Sequence, residues 1–498
     1  MTSSKLTLLV FLFSVAILSA SLSSAKKDPE LRDCKQHCKD LRGADQEEKR
    51  RCAQRCEEES REKREENHHE REESSEEEES YEQQRHENPY VFRDEHFDTT
   101  IRAEQGRVQF LPKFTDRSRL LRGIRNYRVG FLEANPRAFV TPVHIDAEIV
   151  FFVARGRPTV TLLKAKEKEN RGIYRESFNL EVGDILRIPA GITTYLVNRD
   201  EREKLFIVKL INPVSLPGRF EPFYGAGGEN PESFYTAFSD KVLRAALKRE
   251  SDEIERLFRQ QKRGSIVQAS REQVQELSRQ AQKSSAGFWP FRDESRGPIN
   301  LFNTKPTQSN RYGTLHEADP NEHKQLQDLE LLISFANITK GAMVAPYYNT
   351  KATRISFVVE GNGFFEMACP HISSDSSEHE HDPRGSQGRQ QGSPSSYQRV
   401  SGRLNRGVVF VVPAGHPVTV IASKNSNLQV LCFEVNAKDN IRFPLAGKNN
   451  VVSAIENVAK ELAFSVPARE VERVFQSQNE EFFFPGPKEQ DEGRRAYE

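Results

Sequence analysis

The chain has 498 residues, more than one hydrophobic core usually organises, which predicts two domains with additional segments. Lysine plus arginine and aspartate plus glutamate number 73 each, so the formal net charge is zero. This balance excludes a global basic surface for nucleic acid and predicts low solubility near neutral pH at low salt.

The N-terminus has the pattern of a secretory leader. Lys5 precedes an apolar run over residues 6–18, and small residues follow as far as Ala25. The run is too short for a membrane anchor, and no other stretch approaches the roughly eighteen apolar residues that a span needs. We therefore assign residues 1–25 as a signal peptide and expect a secreted or vacuole-routed protein without stable membrane insertion.

Four cysteines follow in two pairs, Cys34 with Cys38 and Cys52 with Cys56. A four-residue step places both thiols of a pair on one helix face, which predicts a helical hairpin over residues 26–60. In an oxidising compartment the simplest pairing is Cys34 with Cys56 and Cys38 with Cys52. A zinc site of four thiolates is the alternative, although zinc ligand pairs usually have closer spacing.

Two stretches are too polar to fold alone. Residues 57–87 are almost entirely Glu, Arg, Ser, His and Gln, and they lack the apolar surface that offsets chain entropy. We predict a disordered charged linker over residues 61–87. A second polar insert, residues 373–396, predicts a mobile surface loop.

Strands and then helices make up the packed part of the chain. Short alternating apolar runs at residues 148–153, 159–163 and 205–210 predict an antiparallel sandwich or barrel. The apolar spacing becomes helical over residues 234–247 and again over residues 254–258. We place this first unit at residues 88–262.

The same order repeats after an inter-domain linker over residues 263–295, which we predict to be part helix and part exposed. Strands are predicted at residues 329–335, 355–359, 408–412 and 428–433, followed by helices at residues 451–464 and 466–475. The second unit therefore covers residues 296–484, with a flexible tail at residues 485–498.

Both units contain the same sequence motif, which consists of a glycine, five further residues and then Pro-x-Gly. It runs from Gly183 to Gly191 in the first unit and from Gly407 to Gly415 in the second. This pattern predicts a turn at the glycine, a buried strand and a second tight turn. The proline fits that second turn because no backbone N–H is needed there for a hydrogen bond to a neighbouring strand. The chain contains one architectural unit twice.

The two copies of this motif, with the residues that follow them, resemble the second motif of the cupin family, Gly-x5-Pro-x-Gly-x2-His-x3-Asn. The positions that match are Gly183, Pro189, Gly191 and Asn198 in the first copy and Gly407, Pro413 and Gly415 in the second. The histidine ligand is replaced by Thr194 in the first copy and by Val418 in the second.

The first cupin motif is also degenerate. Its spacing is kept from Gly341 to Gly361, but Tyr347, Asn349 and Arg354 stand where His, His and Glu would bind a metal. The first copy is one residue shorter and retains His144 and Glu148 in an ambiguous register, with Ile149 next door. A catalytic metal needs about three protein ligands, so we expect no metal in either barrel centre and no catalytic residues.

With the leader, the cysteine pairs, the acidic stretch, residues 88–92 (Asn-Pro-Tyr-Val-Phe) and residues 220–224 (Phe-Glu-Pro-Phe-Tyr), the chain resembles a vicilin-type 7S seed storage globulin over residues 26–484. The resemblance implies a mainly β fold of two cupin jelly-roll β-barrels, each followed by an α-helical extension, plus the hairpin and linker. It implies a nutrient reservoir in the protein storage vacuole, with an extracellular route as alternative. It also implies a flat homotrimer, in which helices embrace the neighbouring subunit.

A thiol and two imidazoles form a separate candidate site. Cys369 and His371 lie two residues apart, hence on the same side of an extended segment, and His416 follows the second Pro-x-Gly turn. This ligand set suits copper, with zinc as alternative. The resemblance implies a copper here with Tyr90 as a further ligand. In the competing interpretation Cys369 is a buried apolar residue and His416 a turn histidine.

Two other positions carry modification chemistry. Cys432 lies in an apolar strand and is predicted to be a free core thiol, with a disulfide to Cys369 left open. Asn337 begins the N-glycosylation sequon Asn-Ile-Thr, which a secreted chain can use. The alternative is that Asn337 is an unmodified strand end.

Storage competes with two other functions. The resemblance extends to sucrose-binding proteins, so a small-molecule or sucrose-binding cupin is the alternative. A metal-dependent oxidoreductase is much less favoured, because no barrel has a complete histidine-rich ligand set. Family precedents also imply that the cysteine hairpin can be released as an antimicrobial or protease-inhibitory peptide.

Overall fold

The computed structural model describes residues 52, 56, 88–165, 172–286, 297–370 and 397–487. The chain divides into two compact units, Met1–Glu87 and Asn88–Glu498. In the first unit, Cys52 and Cys56 are helical and both are disulfide-bonded. The leader, Cys34, Cys38 and the acidic linker lie outside the described residues, so the predicted disulfide pairing stays a prediction.

The compact unit Asn88–Glu498 contains two barrels, each made from two antiparallel sheets. In the first barrel, one sheet has the strand order β14-β9-β6-β11-β4-β3-β2, and the other has the order β12-β5-β10-β7-β8 with β13 added beside β5. The strands are β2 (Asp98–Ala103), β3 (Gly106–Phe110), β4 (Arg128–Ala134), β5 (Ala138–Ile145), β6 (Ala147–Arg155), β7 (Pro158–Ala165), β8 (Ile173–Asn179), β9 (Asp184–Ile188), β10 (Thr194–Asn198), β11 (Leu205–Pro213), β12 (Pro222–Phe223), β13 (Ile266–Gln268) and β14 (Ile299–Asn300).

The second barrel repeats this plan. One sheet has the order β1-β23-β20-β25-β17-β16-β15, and the other has the order β22-β21-β24-β18-β27 with β19 and β26 at its side. The strands are β1 (Val91–Phe92), β15 (Gln308–Asn310), β16 (Gly313–Ala318), β17 (Leu332–Ile338), β18 (Ala342–Val344), β19 (Tyr347–Asn349), β20 (Thr353–Glu360), β21 (Gly363–Cys369), β22 (Gln398–Leu404), β23 (Val409–Val412), β24 (Val418–Ala422), β25 (Leu428–Val435), β26 (Arg442–Pro444) and β27 (Phe483–Pro485). The mainly β expectation of two jelly-roll barrels is confirmed.

The central strands are apolar on both faces because each face meets a different core. In β6, Ile149 and Phe151 belong to the core of the first barrel, whereas Val150 and Phe152 pack toward the second. Aromatic rings from the two barrels meet in the space between them, with Phe152 stacked on Phe335 at a centroid distance of 5.9 Å. Strands buried on both faces read as continuous apolar runs, which explains why these strands lack clean alternation.

A helical extension follows each barrel. The described helices are Phe114–Arg117, Asp240–Leu247, Ser251–Arg259, Arg271–Ala286, Lys324–Gln327, Asn457–Phe464 and Ala468–Phe475, and the 3-10 turns are Asp94–His96, Arg119–Ile124, Phe234–Ala237, Leu301–Asn303 and Val451–Ala454. Helices Asp240–Leu247 and Asn457–Phe464 both end at a residue with positive φ, Lys248 and Ser465. This left-handed residue is a common helix terminator. Within the described ranges, no helix is long and apolar enough to span a membrane.

The strand pairing crosses the predicted domain boundaries. β1 precedes the first barrel in sequence but pairs with β23 of the second, Val91 opposite Phe410. Conversely, β14 lies in the range predicted for the second unit, residues 296–484, but pairs with β9 of the first barrel. Within the connecting segment predicted as part helix and part exposed linker, the described residues contain helix Arg271–Ala286 and also β13, a strand that pairs with β5 and was not predicted. Val274 of this helix packs with Val197 of the first barrel. One apolar face therefore holds this otherwise polar helix against the barrel.

Candidate functional site

The centre of the first barrel does not assemble the two retained cupin ligands. Thr194 lies opposite Val143 and Leu162. Successive side chains of a strand alternate between faces, so His144 lies on the face opposite to that of Val143. His144 instead stacks on Phe223, with ring centroids 5.1 Å apart and an interplanar angle of 12°.

Glu148 is likewise turned away from the barrel centre, and Ile149 takes the inward position. The carboxylate of Glu148 accepts from Arg187 Nε at 2.9 Å and from the backbone N–H of Ala190 at 3.3 Å. The ambiguous register is therefore resolved, and Glu148 is a structural ion-pair residue.

Lys209 was not singled out from the sequence, yet its partly buried side chain lies on the same face of β11 as the core residues Ile207 and Ile211. Its neighbours across β4 and β6 are Gly130 and Phe151, and the surrounding core is aliphatic and aromatic. Among the described residues, its ammonium has neither a hydrogen bond nor an ion pair. Burial lowers the pKa of Lys209 from 10.5 to about 8. The signal in the sequence is one charged residue inside the apolar run of β11.

In the second barrel the three degenerate positions do meet, around Glu434. Asn349 donates from Nδ2 to Glu434 Oε2 at 3.1 Å, and Arg354 Nε lies 3.6 Å from Glu434 Oε1. The Arg354 guanidinium also lies over the Tyr347 ring, 5.4 Å from its centroid. Val418, at the histidine position, lies opposite Tyr347. An ion cluster thus stands where a cupin metal would be.

The cluster continues outward through a second arginine. Arg442 donates to Glu434 at 3.2 Å and to Glu317 at 3.0 Å, which balances two cations with two carboxylates. Burial disfavours the charged form of Arg442, but the two carboxylates raise its pKa above the ordinary value. Burial likewise opposes ionisation of Glu317, yet Arg442 and a hydrogen bond from Thr307 keep the pKa of Glu317 below its usual value.

The structure brings together three of the four residues predicted to bind copper. Tyr90 Oη lies 3.5 Å from Cys369 Sγ, and both side chains are fully buried. His416 is buried beside them, with its ring centroid 6.4 Å from that of Tyr90, and it hydrogen-bonds to the Cys369 side chain. His371 lies outside the described residues. Among the described residues, no three His, Cys, Asp or Glu side chains form a group that could hold a metal.

The imidazole of His416 is oriented by the chain. Its Nδ1 atom is 3.1 Å from the carbonyl oxygen of Ala414, which suits an Nδ1–H donor and leaves Nε2 to face its other partners. Burial acts to lower the pKa of His416, but hydrogen bonds to Cys369 and Ala414 raise it above the ordinary value.

Neither Cys369 nor Cys432 is disulfide-bonded, so the disulfide left open between them is not formed. Cys432 accepts from Arg354 Nη2 at 3.1 Å and is part of the Glu434 cluster.

Asn337 lies within a central strand. β17 pairs with β16 on one side and with β25 on the other, which places Asn337 opposite both Thr314 and Gln429. These three side chains line a half-open cavity of about 270 Å³ between the barrels. Glycosylation of Asn337 stays a prediction.

Comparison with known proteins agrees with this architecture. A cupin family model matches residues 299–470. A vicilin of Corylus avellana is 56% identical over 472 residues, which cover 95% of this chain and 98% of the relative. A Glycine max protein named sucrose-binding protein is 42% identical over 99% of both chains.

The crystal structure of the Corylus avellana vicilin superposes with a TM-score of 0.71 at 58% identity, covering 80% of this chain and 100% of its own. The sequence alignment with this vicilin spans nearly the whole length of both chains. The chain therefore belongs to the vicilin family of 7S seed storage globulins.

Proposed function

We propose that this protein is a nutrient reservoir that accumulates as a homotrimer in the seed storage vacuole and carries no catalytic activity. Family membership supports the storage role. The barrel centres support the absence of catalysis, because Thr194 and Val418 replace the histidine ligand and the Glu434 cluster fills the position of a metal. The predicted leader supports entry into the secretory pathway.

The observation that favours a trimer is the exposed apolar surface of the helical extensions. After the first barrel, Val242, Leu247 and Leu257 are exposed, and after the second barrel Val458 and Leu462 are 68% and 79% exposed. Exposed apolar patches on a soluble protein mark association surfaces. Repeated halves with unlike ends allow a head-to-tail contact that closes into a ring.

We expect Leu247→Glu and Leu462→Glu to convert the trimer to monomers. Each leucine would contribute on the order of 1.5–3 kcal/mol when buried, and a buried unpaired carboxylate adds a desolvation cost. Light scattering after size-exclusion chromatography measures the mass. Ile173→Glu is the control, because Ile173 is 77% exposed, close to the 79% of Leu462, and lies on strand β8 instead of on the exposed helix faces. A trimer that persists in both helix variants contradicts this interface.

We propose further that copper binds at Tyr90, Cys369 and His416, with His371 as the fourth ligand and zinc as the alternative metal. A buried thiol, an imidazole hydrogen-bonded to it and a phenol beside the thiol make a donor set that fits copper. The Ala414 carbonyl supports the site by fixing the histidine tautomer. The metal would have a structural role, joining the N-terminal segment to the second barrel.

We expect Cys369→Ser and His416→Ala to lose most of the copper that the wild type takes up. Apo protein is reloaded under identical conditions, and its copper is measured by inductively coupled plasma mass spectrometry. Cys432→Ser is the matched control, because it removes the other buried free thiol of the same barrel. Equal copper in all four proteins would exclude the site.

Two modifications complete the proposal. The disulfide-bonded Cys52 and Cys56 support a two-bridge hairpin, which could be released as an antimicrobial or protease-inhibitory peptide. The sequon and the open cavity beside it support an N-linked glycan on Asn337.

A further inference from the structure

We propose that the first sugar of an N-linked glycan on Asn337 lies inside the cavity between the two barrels, packed against phenylalanine side chains from both. This inference rests on the proposed glycosylation and assigns the cavity its occupant. The sugar would then act as a shared core element of the two halves.

The direction of the Asn337 side chain follows from its place in the sheet. Both neighbouring strands are hydrogen-bonded to β17, so the side chain leaves perpendicular to the sheet. Phe335, two residues earlier, lies on the same face, and both residues line the cavity. A group attached to Asn337 Nδ2 therefore starts within the cavity and beside an aromatic ring.

The cavity has aromatic walls from three parts of the chain. Phe152 comes from the first barrel, Phe302 from the segment between the barrels and Phe335 from the second barrel. The Phe302 ring stands nearly perpendicular to Phe335 and Phe152, with centroid distances of 5.0 and 6.3 Å. The volume of about 270 Å³ lies just below the roughly 300–1,000 Å³ of typical ligand pockets, which suits one ring.

The polar groups of the cavity suit a neutral, hydroxyl-rich ring. Among the described residues, Asn337 Oδ1 is buried without a hydrogen-bond partner, and Asn337 forms a row with Thr314 and Gln429 across three adjacent strands. His316 has Nδ1 3.2 Å from the Thr304 carbonyl, which leaves Nε2 as an acceptor. Of the residues that the structure describes, none that lines the cavity is charged. N-acetylglucosamine offers an apolar face to the rings and hydroxyl and acetamide groups to this row.

Attachment precedes folding, so the central position of Asn337 is no obstacle. In the transfer, Asn337 Nδ2 forms a bond to the anomeric carbon of N-acetylglucosamine, and the bond from that carbon to the diphosphate of the lipid-linked donor breaks. The lipid diphosphate leaves, and one amide proton is released. The two barrels then close over the attached sugar.

The test compares two glycosidases on the full chain produced in kifunensine-treated plant cells, which keeps glycans oligomannose. An endoglycosidase that cuts after the first sugar should trim the native protein freely. A peptide N-glycosidase, which must reach the Asn337 linkage, should act more slowly on native than on denatured protein by about tenfold or more, because local opening is required. Phe302→Ala, which removes one wall, should restore native release.

A matched pair of sequon variants supplies a second readout. Thr339→Ser keeps the sequon, whereas Thr339→Ala removes it without changing Asn337. The unglycosylated variant should melt lower by about 2–4 °C, since an unfilled cavity remains between the barrels. Trimming the Thr339→Ser protein to one sugar should leave its melting temperature unchanged.

The outcomes separate the two proposals. Absence of glycan from Asn337 by peptide mass spectrometry overturns the glycosylation and, with it, this inference. A glycan that the peptide N-glycosidase releases equally fast from native and denatured protein, with equal melting of both Thr339 variants, overturns the buried sugar alone.

Discussion

Replacement of Glu434 by alanine is expected to lower the free energy of unfolding by about 3–5 kcal/mol, because it leaves two buried arginines with only one carboxylate. Glu434 is 0% exposed and contacts Arg354, Arg442 and Asn349. Arg442 retains Glu317, but the main carboxylate partner of Arg354 is lost. Two guanidinium groups would then remain in one barrel with a single carboxylate between them.

Chemical unfolding followed by circular dichroism, with refolding verified, measures this loss. Glu250→Ala is the control, because Glu250 pairs with Arg244 at 2.8 Å on the surface, where a salt bridge contributes about 0–1 kcal/mol. Loss of less than about 1 kcal/mol in Glu434→Ala would show that the cluster relaxes or takes in water, contrary to this expectation.

Lys209→Met is expected to stabilise the protein by up to about 3 kcal/mol at pH 7, since a pKa shift of one unit corresponds to about 1.4 kcal/mol. The folded state holds the pKa of Lys209 at about 8, below its ordinary 10.5. Below pH 8 the folded protein bears the full cost of a desolvated ammonium. Between pH 8 and 10.5 the folded state loses this proton before the unfolded state does, so wild-type stability rises with pH.

The difference between the wild type and Lys209→Met should therefore shrink as the pH rises through this window. Denaturant unfolding at pH 7, 9 and 10.5 measures that trend. Lys340→Met, at an exposed turn, is the control and should change stability little at any pH. A constant difference across the three pH values would mean that packing, and not titration, sets the effect.

The barrels could be predicted because local pattern and internal repetition agree. The apolar runs located β6, β11 and β25, and the change to helical spacing located both extensions. The family resemblance, and not residue spacing, predicted the cluster of Tyr90, Cys369 and His416. Spacing could not do so because Tyr90 and Cys369 are 279 residues apart.

Other features depend on tertiary contacts that a single sequence does not encode locally. β6 is apolar on both faces, so the sequence left open whether Glu148 or Ile149 faces the barrel centre. Residues 271–286 are so polar that the sequence left open how much of this segment is helix and how much is exposed linker, and the helix packs against the first barrel. The Glu434 cluster required knowing that Arg442, Arg354 and Glu317, from separate strands, meet at one point.

During synthesis on the ribosome, strand β1 emerges long before β23, the strand of the second barrel with which it pairs. Asn88 donates to the carbonyl of Ser401, which is 313 positions later in the chain. At 5–20 residues per second, the ribosome needs roughly 15–60 s to add that many residues. Throughout this interval Tyr90 and β1 lack the sheet that buries them. A chain that terminates early in the second barrel would therefore expose an apolar segment without its partner strand, the kind of surface that promotes aggregation and recruits chaperones.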